Sequence, residues 1–485
     1  MSDSPQEPGG RAIWRAIFFI LLGFSVLACL FWLALDLASK KGLLRYERQQ
    51  DFNFADFIPK PVQDESNFAL VPVVGSRMEI YDGGSQIKTP DNGNWQIGQP
   101  TDLKAFQDYY RALATNANGF PVADERQSPA ADVLFALSKY DVTIEELRQA
   151  ATLPESRFPL KYDSPSPAAI MLPHLAVLKG SSQVLELRAV AELQDGQSDK
   201  AVADVKVMFR LVSSIRNEPF LISHLVRIAM LNRAIQPIWE GTQEHLWSDG
   251  QLKELDRDLA GLDFLADYEF SMRGQCACEI ANIEFLRRTR SVAGLFDGSM
   301  PPAIEIELRL APDFIYYHNE LLVARAVQDW ILPIADVERH SVSLADADAA
   351  VTNIDGICAR PALNNVLAAM TLPVYEKIVE RFSRAQSWVD LARIAVALER
   401  YRLAHGKYPD SLNALAPGFI ESVPSDIIGG KPLIYHRSAD GRYALYSVGW
   451  NGTDDGGKVI FHGGSKTQID YDKGDWVWAG QVIGP

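Results

Sequence analysis

The feature that most constrains this chain is a stretch with no charge in it. Between residues 16 and 35 there is no Asp, Glu, Lys or Arg, and Phe18, Phe19, Ile20, Leu21, Leu22, Leu27, Leu30, Phe31 and Leu33 dominate. About twenty apolar residues wound as a helix match the thickness of a bilayer's hydrocarbon core. Trp14 and Trp32 stand near its ends, where indole rings favour the membrane interface. A cleaved signal peptide would carry a shorter apolar run and a clean small-residue cleavage site after it. The pattern predicts a transmembrane anchor at 16–37 behind a polar tail of residues 1–15, with a lipid bilayer as the first partner. Arg11 and Arg15 precede the run, while Lys40, Lys41, Arg45 and Arg48 follow it. Counted naively, the positive-inside rule leaves the body in the cytoplasm. A short basic tail before a first apolar helix also suits a signal anchor, which puts the body outside.

Beyond the anchor, a chain of 485 residues has room for two or three domains. A net charge of −15 gives no footprint for nucleic acid. Four cysteines do not make a disulfide scaffold at this length.

Residues 38–125 read as an irregular membrane-proximal segment, punctuated by Pro59, Pro61, Asp82-Gly83-Gly84 and Pro90-Asp91-Asn92-Gly93. Phe106, Tyr109, Tyr110 and Leu113 then begin a helical spacing. From 126 to 385 the periodicity predicts an α-helical bundle. Thr143-Ile144-Glu145-Glu146 has the form of a capping box. The segments 184–192 and 201–215, joined by Asp195-Gly196-Gln197-Ser198-Asp199, resemble one tetratricopeptide-type hairpin; three repeats at a fixed period would be needed for a solenoid, and none follow. Pro312 and Pro333 bracket a further helix.

Chemistry-bearing patterns in this bundle are sparse. Cys276-Ala277-Cys278 has the wrong gap for a Cys-x-x-Cys site, although with Met272 and Glu279 it offers soft-metal ligands. The eight histidines never recur at a four-residue interval, and no Walker loop, nucleophile elbow or dinucleotide fingerprint is present. Tyr316-Tyr317-His318-Asn319-Glu320 is the one polar–aromatic cluster suggestive of a pocket.

The C-terminal part, residues 386–485, reads as a small α+β module. Leu391, Ile394, Ala395, Leu398 and Tyr401 repeat at three- and four-residue steps, giving a helix with one apolar face. Arg393, Glu399, Arg400 and Arg402 occupy the rest of it. Gly406 falls at the left-handed cap position and Pro409 stops continuation. Residues 432–436 and 443–448 read as strands, with Asp440-Gly441 as their turn.

The order Ala397-Leu398-Glu399-Arg400-Tyr401-Arg402, then Gly406-Lys407-Tyr408-Pro409, Pro424-Ser425-Asp426, Tyr446-Ser447-Val448-Gly449 and the Asn451-Gly452 and Asp454-Asp455-Gly456-Gly457 loop resembles the globular part of major pseudopilins of bacterial type II secretion. It covers residues 388–478. That resemblance implies a calcium ion in the last loop, held here by Asn451, Asp454 and Asp455. Asn451 stands where the family's first Asp is usual, and the acidic pair comes early, so backbone carbonyls and Asp470, Asp472 or Asp475 would have to complete the oxygen ligands. Without an ion, the loop is a Gly/Asp turn closing the sheet. The family's leader, a Gly-ended basic stretch before an apolar helix, has no counterpart in the right place. Lys40-Lys41-Gly42-Leu43-Leu44-Arg45-Tyr46-Glu47 follows the apolar run instead of preceding it.

The fold class expected is thus mainly α: a transmembrane helix, a helical body and a pseudopilin-like α+β module. The apolar run implies a single-pass membrane protein; the resemblance adds a bacterial inner membrane, a body outside the cytoplasm, protein partners in the envelope and no cofactor beyond calcium. With no catalytic motif in the chain, the reading leans towards a non-enzymatic role. The alternative is an enzyme or ligand-binding receptor with its pocket in the helical body.

Overall fold

The computed structural model describes residues 26–43, 52–81, 99–113, 119–291, 302–463 and 469–479. They form a mainly helical protein, as the periodicity predicts. The transmembrane helix is a correction. A helix, α1, covers residues 26–43, whereas 16–25 lie outside the described residues. Within α1 the uncharged stretch ends at Leu35 and Asp36, Lys40 and Lys41 follow on the same helix. Among the described residues no helix is long and apolar enough to cross a membrane. Charges at that density are costly in hydrocarbon. The end of α1 is held by protein instead. The Trp32 ring lies 4.5 Å from that of Phe314, Lys40 Nζ sits 5.6 Å from the centre of the Tyr317 ring, and Leu43 is buried. Phe314 and Tyr317 belong to a helix over Asp313–Arg325.

The segment after α1 is irregular but ordered by its asparagines. Four short 3-10 turns between Phe54 and Gly75 form a strap across the body. Asn67 Oδ1 accepts from the backbone N–H of Ala69 at 3.1 Å and of Arg157 at 2.9 Å, and its Nδ2 donates to the Arg157 carbonyl at 3.0 Å. The strap passes so close to Gly180 that a Cβ there would lie 2.6 Å from the Met78 carbonyl oxygen.

The body contains α2 (Leu103–Leu113), α3 (Pro129–Leu137), α4 (Asp141–Ala150), α5 (His174–Gln194), α6 (Ser198–Ser214), α7 (Leu221–Gln243), α8 (Asp249–Ala260) and α9 (Phe264–Thr289). The hairpin expected around Gly196 is α5–α6, and Gly196 is left-handed at φ 76°. The capping box expected at Thr143 does not form, because α4 continues from a 3-10 turn at Ser138–Tyr140 and starts two residues earlier. A capping box does open α8, between Ser248 and Gln251. After α10 (Pro302–Leu310) and α11 (Asp313–Arg325), the chain relaxes into a π-helical turn over Ala326–Ile331 and a two-stranded hairpin, β1 (Ala335–Asp336) with β2 (Ser341–Val342). α12 (Leu344–Cys358) and α13 (Val366–Thr371) follow.

The next helix, α14 (Ile378–His405), runs straight through the boundary expected at 385/386. From Ile378 to Glu399 every residue except Arg381, Arg384 and Arg393 is buried. It packs on α7, α8 and α9 on the body side and on the sheet. A helix buried on all sides is a core helix, not the amphipathic edge of a separate module. Gly406 caps it as expected, at φ 73°, its N–H 2.7 Å from the Arg402 carbonyl.

The sheet is antiparallel in the order β3 (Ile434–Arg437), β4 (Tyr443–Ser447), β7 (Trp476–Ala479), and β5 (Val459–Phe461) pairs separately with β6 (Ile469–Gly474). The Pro-Ser-Asp and Tyr-Ser-Val-Gly elements clasp each other. Buried Asp426 accepts from Ser447 Oγ at 2.9 Å and from the N–H groups of Val448 and Ile428 at 3.0 Å each. Trp239 of α7 donates to the Trp478 carbonyl of β7 at 2.8 Å. One continuous hydrophobic core runs through body and sheet.

Candidate functional site

The site grows out of the end of α7. Its last turn closes with the N–H of Leu246 donating to the Gly241 carbonyl at 2.8 Å, the six-to-one bond of a Schellman end. The left-handed residue that such an end needs is His245, at φ 58°, where glycine is usual. Gly241 is itself required, since a Cβ there would come within 2.1 Å of Trp247 Nε1.

Left-handed backbone throws the His245 ring across to α14. Its Nδ1 lies 3.0 and 3.1 Å from the two carboxylate oxygens of Glu399, whose side chain is only 1% exposed. Arg402 donates to the same carboxylate through Nε at 2.9 Å and Nη2 at 2.6 Å, and Tyr408 through its hydroxyl at 3.0 Å. A buried carboxylate with this many donors is a satisfied one. Burial, reinforced by Glu399, pushes the Tyr408 phenol well above its ordinary range, so it stays a donor.

His245 and Tyr408 line a cleft of about 370 Å³ between the end of α7 and the β3–β4 hairpin. That is the lower part of the range for small-molecule sites. Its opposite wall carries His436, Arg437, Arg442 and Tyr443. Arg437 pairs with Asp410, and Arg442 Nε donates to Asp440 at 2.7 Å. Hydrogen bonds from Ser438 and Arg442 hold the Asp440 carboxyl down at about 2. With Nδ1 held against Glu399, Nε2 is the ring nitrogen of His245 left to the cleft. The cleft therefore combines two oriented rings with guanidinium groups at its rim.

The residues singled out for calcium lie elsewhere. Asn451 Nδ2 donates to Asp455 Oδ2 at 2.8 Å, and Asp454 Oδ1 accepts from Tyr446 OH at 3.1 Å and from the Gly456 N–H at 2.9 Å. The centre of the loop is filled by Asp475. Its carboxylate accepts from the N–H groups of Asp455 at 3.2 Å, Gly457 at 2.7 Å and Lys458 at 3.1 Å. Asp470 and Asp472 pair with Lys473 and Lys377. N–H groups converge where calcium would need oxygens. Among the described residues no three or more His, Cys, Asp and Glu side chains are grouped to hold a metal.

Cys276, Cys278, Met272 and Glu279 are all buried on α9. Burial raises both thiols and lifts Glu279 to about 7, which disfavours the charged forms that a metal ion would need. The aromatic cluster at 316–320 is structural: Tyr316 OH donates to the Leu308 carbonyl at 2.5 Å, and Asn319 holds the Asn364 carbonyl and the Ala368 N–H.

His245, Tyr408 and His436 carried no sequence signal as a group, because they converge only in the fold; Glu399 reads in the sequence only as one of four charges on the polar side of its helix. No family model, curated protein or solved structure matches this chain.

Proposed function

We propose that the protein binds a small polar molecule in the cleft between α7 and the β3–β4 hairpin, with His245 and Tyr408 orienting it. The observation that carries this reading is the left-handed His245, fixed by a buried carboxylate and bordering a cavity. Backbone strain at a non-glycine residue is kept where surrounding structure over-determines it, and such positions cluster at ligand sites. The ligand chemistry follows from the lining. A hydrogen-bonding group of the ligand meets His245 Nε2, and an acidic end meets Arg442 or Arg437 at the rim.

The pseudopilin-like reading of residues 388–478, a module offered for protein contact, has less support. The helix that would be its stalk, α14, is enclosed by the body on which the cleft is built.

The test is native mass spectrometry of the full chain purified from its expression host, beside the His245→Ala protein. Retention of a small-molecule adduct by the wild type, lost in the variant, is expected. In parallel, the Nε2 resonance of His245 in ¹⁵N-imidazole spectra moves when a host metabolite extract is added. An unmodified mass and an unmoved resonance together overturn the reading.

A further inference from the structure

We infer that a second groove, between the strap and the end of α6, binds a phosphate-class anion. It has a volume of about 530 Å³ and is lined by Lys60 and Pro61 of the strap, Glu155, and Arg210, Ser213 and Arg216 at and beyond the end of α6.

Arg210 is the central observation. Its guanidinium is partly buried and faces the Phe68 ring at 4.7 Å. Nε donates to the Leu153 carbonyl at 3.1 Å and Nη2 to the Glu155 carbonyl at 2.7 Å. Among the described residues it has no ion pair. Desolvation lowers its pKa with no carboxylate to oppose the shift. Two carbonyls fix the fork but neutralise nothing, so a cation is desolvated without a counter-ion. A guanidinium offers five N–H donors, and these two carbonyls leave Nη1 uncommitted.

Lys60 and Arg216 line the same groove, are exposed, and likewise have no ion pair among the described residues. Asp56 and Glu155 also line it, yet neither carboxylate comes within ion-pair distance of any of the three cations. Three cations without an ion pair thus line one groove of a chain whose net charge is −15, with Asp267 felt by Arg216 only at longer range. A fixed fork flanked by two exposed cations suits the several oxygens of a phosphate or diphosphate group. The overall negative charge disfavours a nucleic-acid backbone as the source.

Isothermal titration calorimetry on the full chain tests this, with inorganic phosphate, pyrophosphate and ADP as probes. Pyrophosphate binding is expected, weakening with added salt and falling roughly tenfold in Lys60→Gln and in Arg216→Gln. Both side chains are exposed, so unchanged melting temperatures show the variants folded. Arg210→Lys, which keeps the charge but not the fork, also loses affinity. Tighter binding of ADP than of pyrophosphate identifies a nucleotide as the source of the phosphate, and the reverse order a free ion. His245→Ala leaves these affinities unchanged, which separates this groove from the cleft at α7. Absence of heat with all three probes at about 1 mM, or binding indifferent to Lys60→Gln and Arg216→Gln, overturns the inference.

Discussion

Two histidines in this protein make the same contact at opposite ends of one stretch of α14. His245 and His340 both have left-handed backbone, φ 58° and 50°, and both set a ring nitrogen about 3 Å from a buried acid of that helix, Glu399 and Asp390. What surrounds each contact differs. Around Asp390 the hydrogen bonds lead inward: Gln386 Nε2 donates to Asp390 Oδ1 at 3.1 Å, while its own Oε1 caps α9 through the Phe264 N–H at 2.8 Å. Around Glu399 they lead outward, to Tyr408 and to a cavity. The lesson is that a strained histidine on a buried carboxylate is a positioning device, and only its surroundings show whether it positions the fold or a ligand.

The sharpest way to break this comparison is to remove each acid. Glu399→Ala strands His245, Arg402 and Tyr408 around a buried void and should cost about 3–5 kcal/mol. Asp390→Ala strands one histidine and one amide, and about 2 kcal/mol is expected. Urea midpoints give both values. Equal losses would mean that the two networks are the same kind of clasp. A similar loss of about 2 kcal/mol is expected for Gly241→Ala, because the new methyl group meets the Trp247 ring and must shift the turn that carries His245. That variant should lose ligand as well as stability.

pH sharpens the inward-facing member. The hydrogen bond to Asp390 raises the His340 pKa above its usual value of 6.5, against the effect of burial. Its folded value therefore exceeds its unfolded one. The contact's contribution is fully present below pH 6.5 and is lost as pH rises through the folded value. Wild-type urea midpoints should fall between pH 6 and pH 8 by more than those of His340→Ala. Parallel curves would remove His340 from the account.

How much of this was legible follows the same inward–outward division. The C-terminal cap at Gly406, the β3–β4 hairpin and the α5–α6 turn each rest on local chemistry, and each appears where the residues put it. The domain boundary at 385/386 does not survive as a break in the fold. Arg393 and Arg400 read as a solvent face, yet they pair with Asp256 and Asp249 of α8 at 3.0 Å, so the helix they decorate is interior. Of the apolar run, the described residues 26–35 are helical but not a membrane span, and the partner of their end, the aromatic face of α11, lies nearly three hundred residues away. Asp475 was noticed only as a spare ligand, because nothing local shows that it faces N–H groups. The cleft was not legible at all. A histidine in a left-handed cap leaves no pattern, since any residue tolerated there is chosen by what its ring meets.

The smallest expected effect is the most discriminating. Glycine adopts left-handed backbone without the roughly 1 kcal/mol that a side-chain-bearing residue spends there. At position 340, His340→Gly gains that relief but leaves Asp390 with only Gln386, and a net loss of about 1 kcal/mol is expected. At position 245 the relief is the same, and Glu399 retains Arg402 and Tyr408 when the imidazole goes. His245→Gly should therefore be neutral in stability to within about 0.5 kcal/mol, while abolishing the adduct seen by native mass spectrometry. A position whose side chain stability does not need, but binding does, is what a ligand-orienting residue looks like in two measurements. If His245→Gly instead cost as much as His340→Gly and left the adduct in place, both histidines would be clasps of the core.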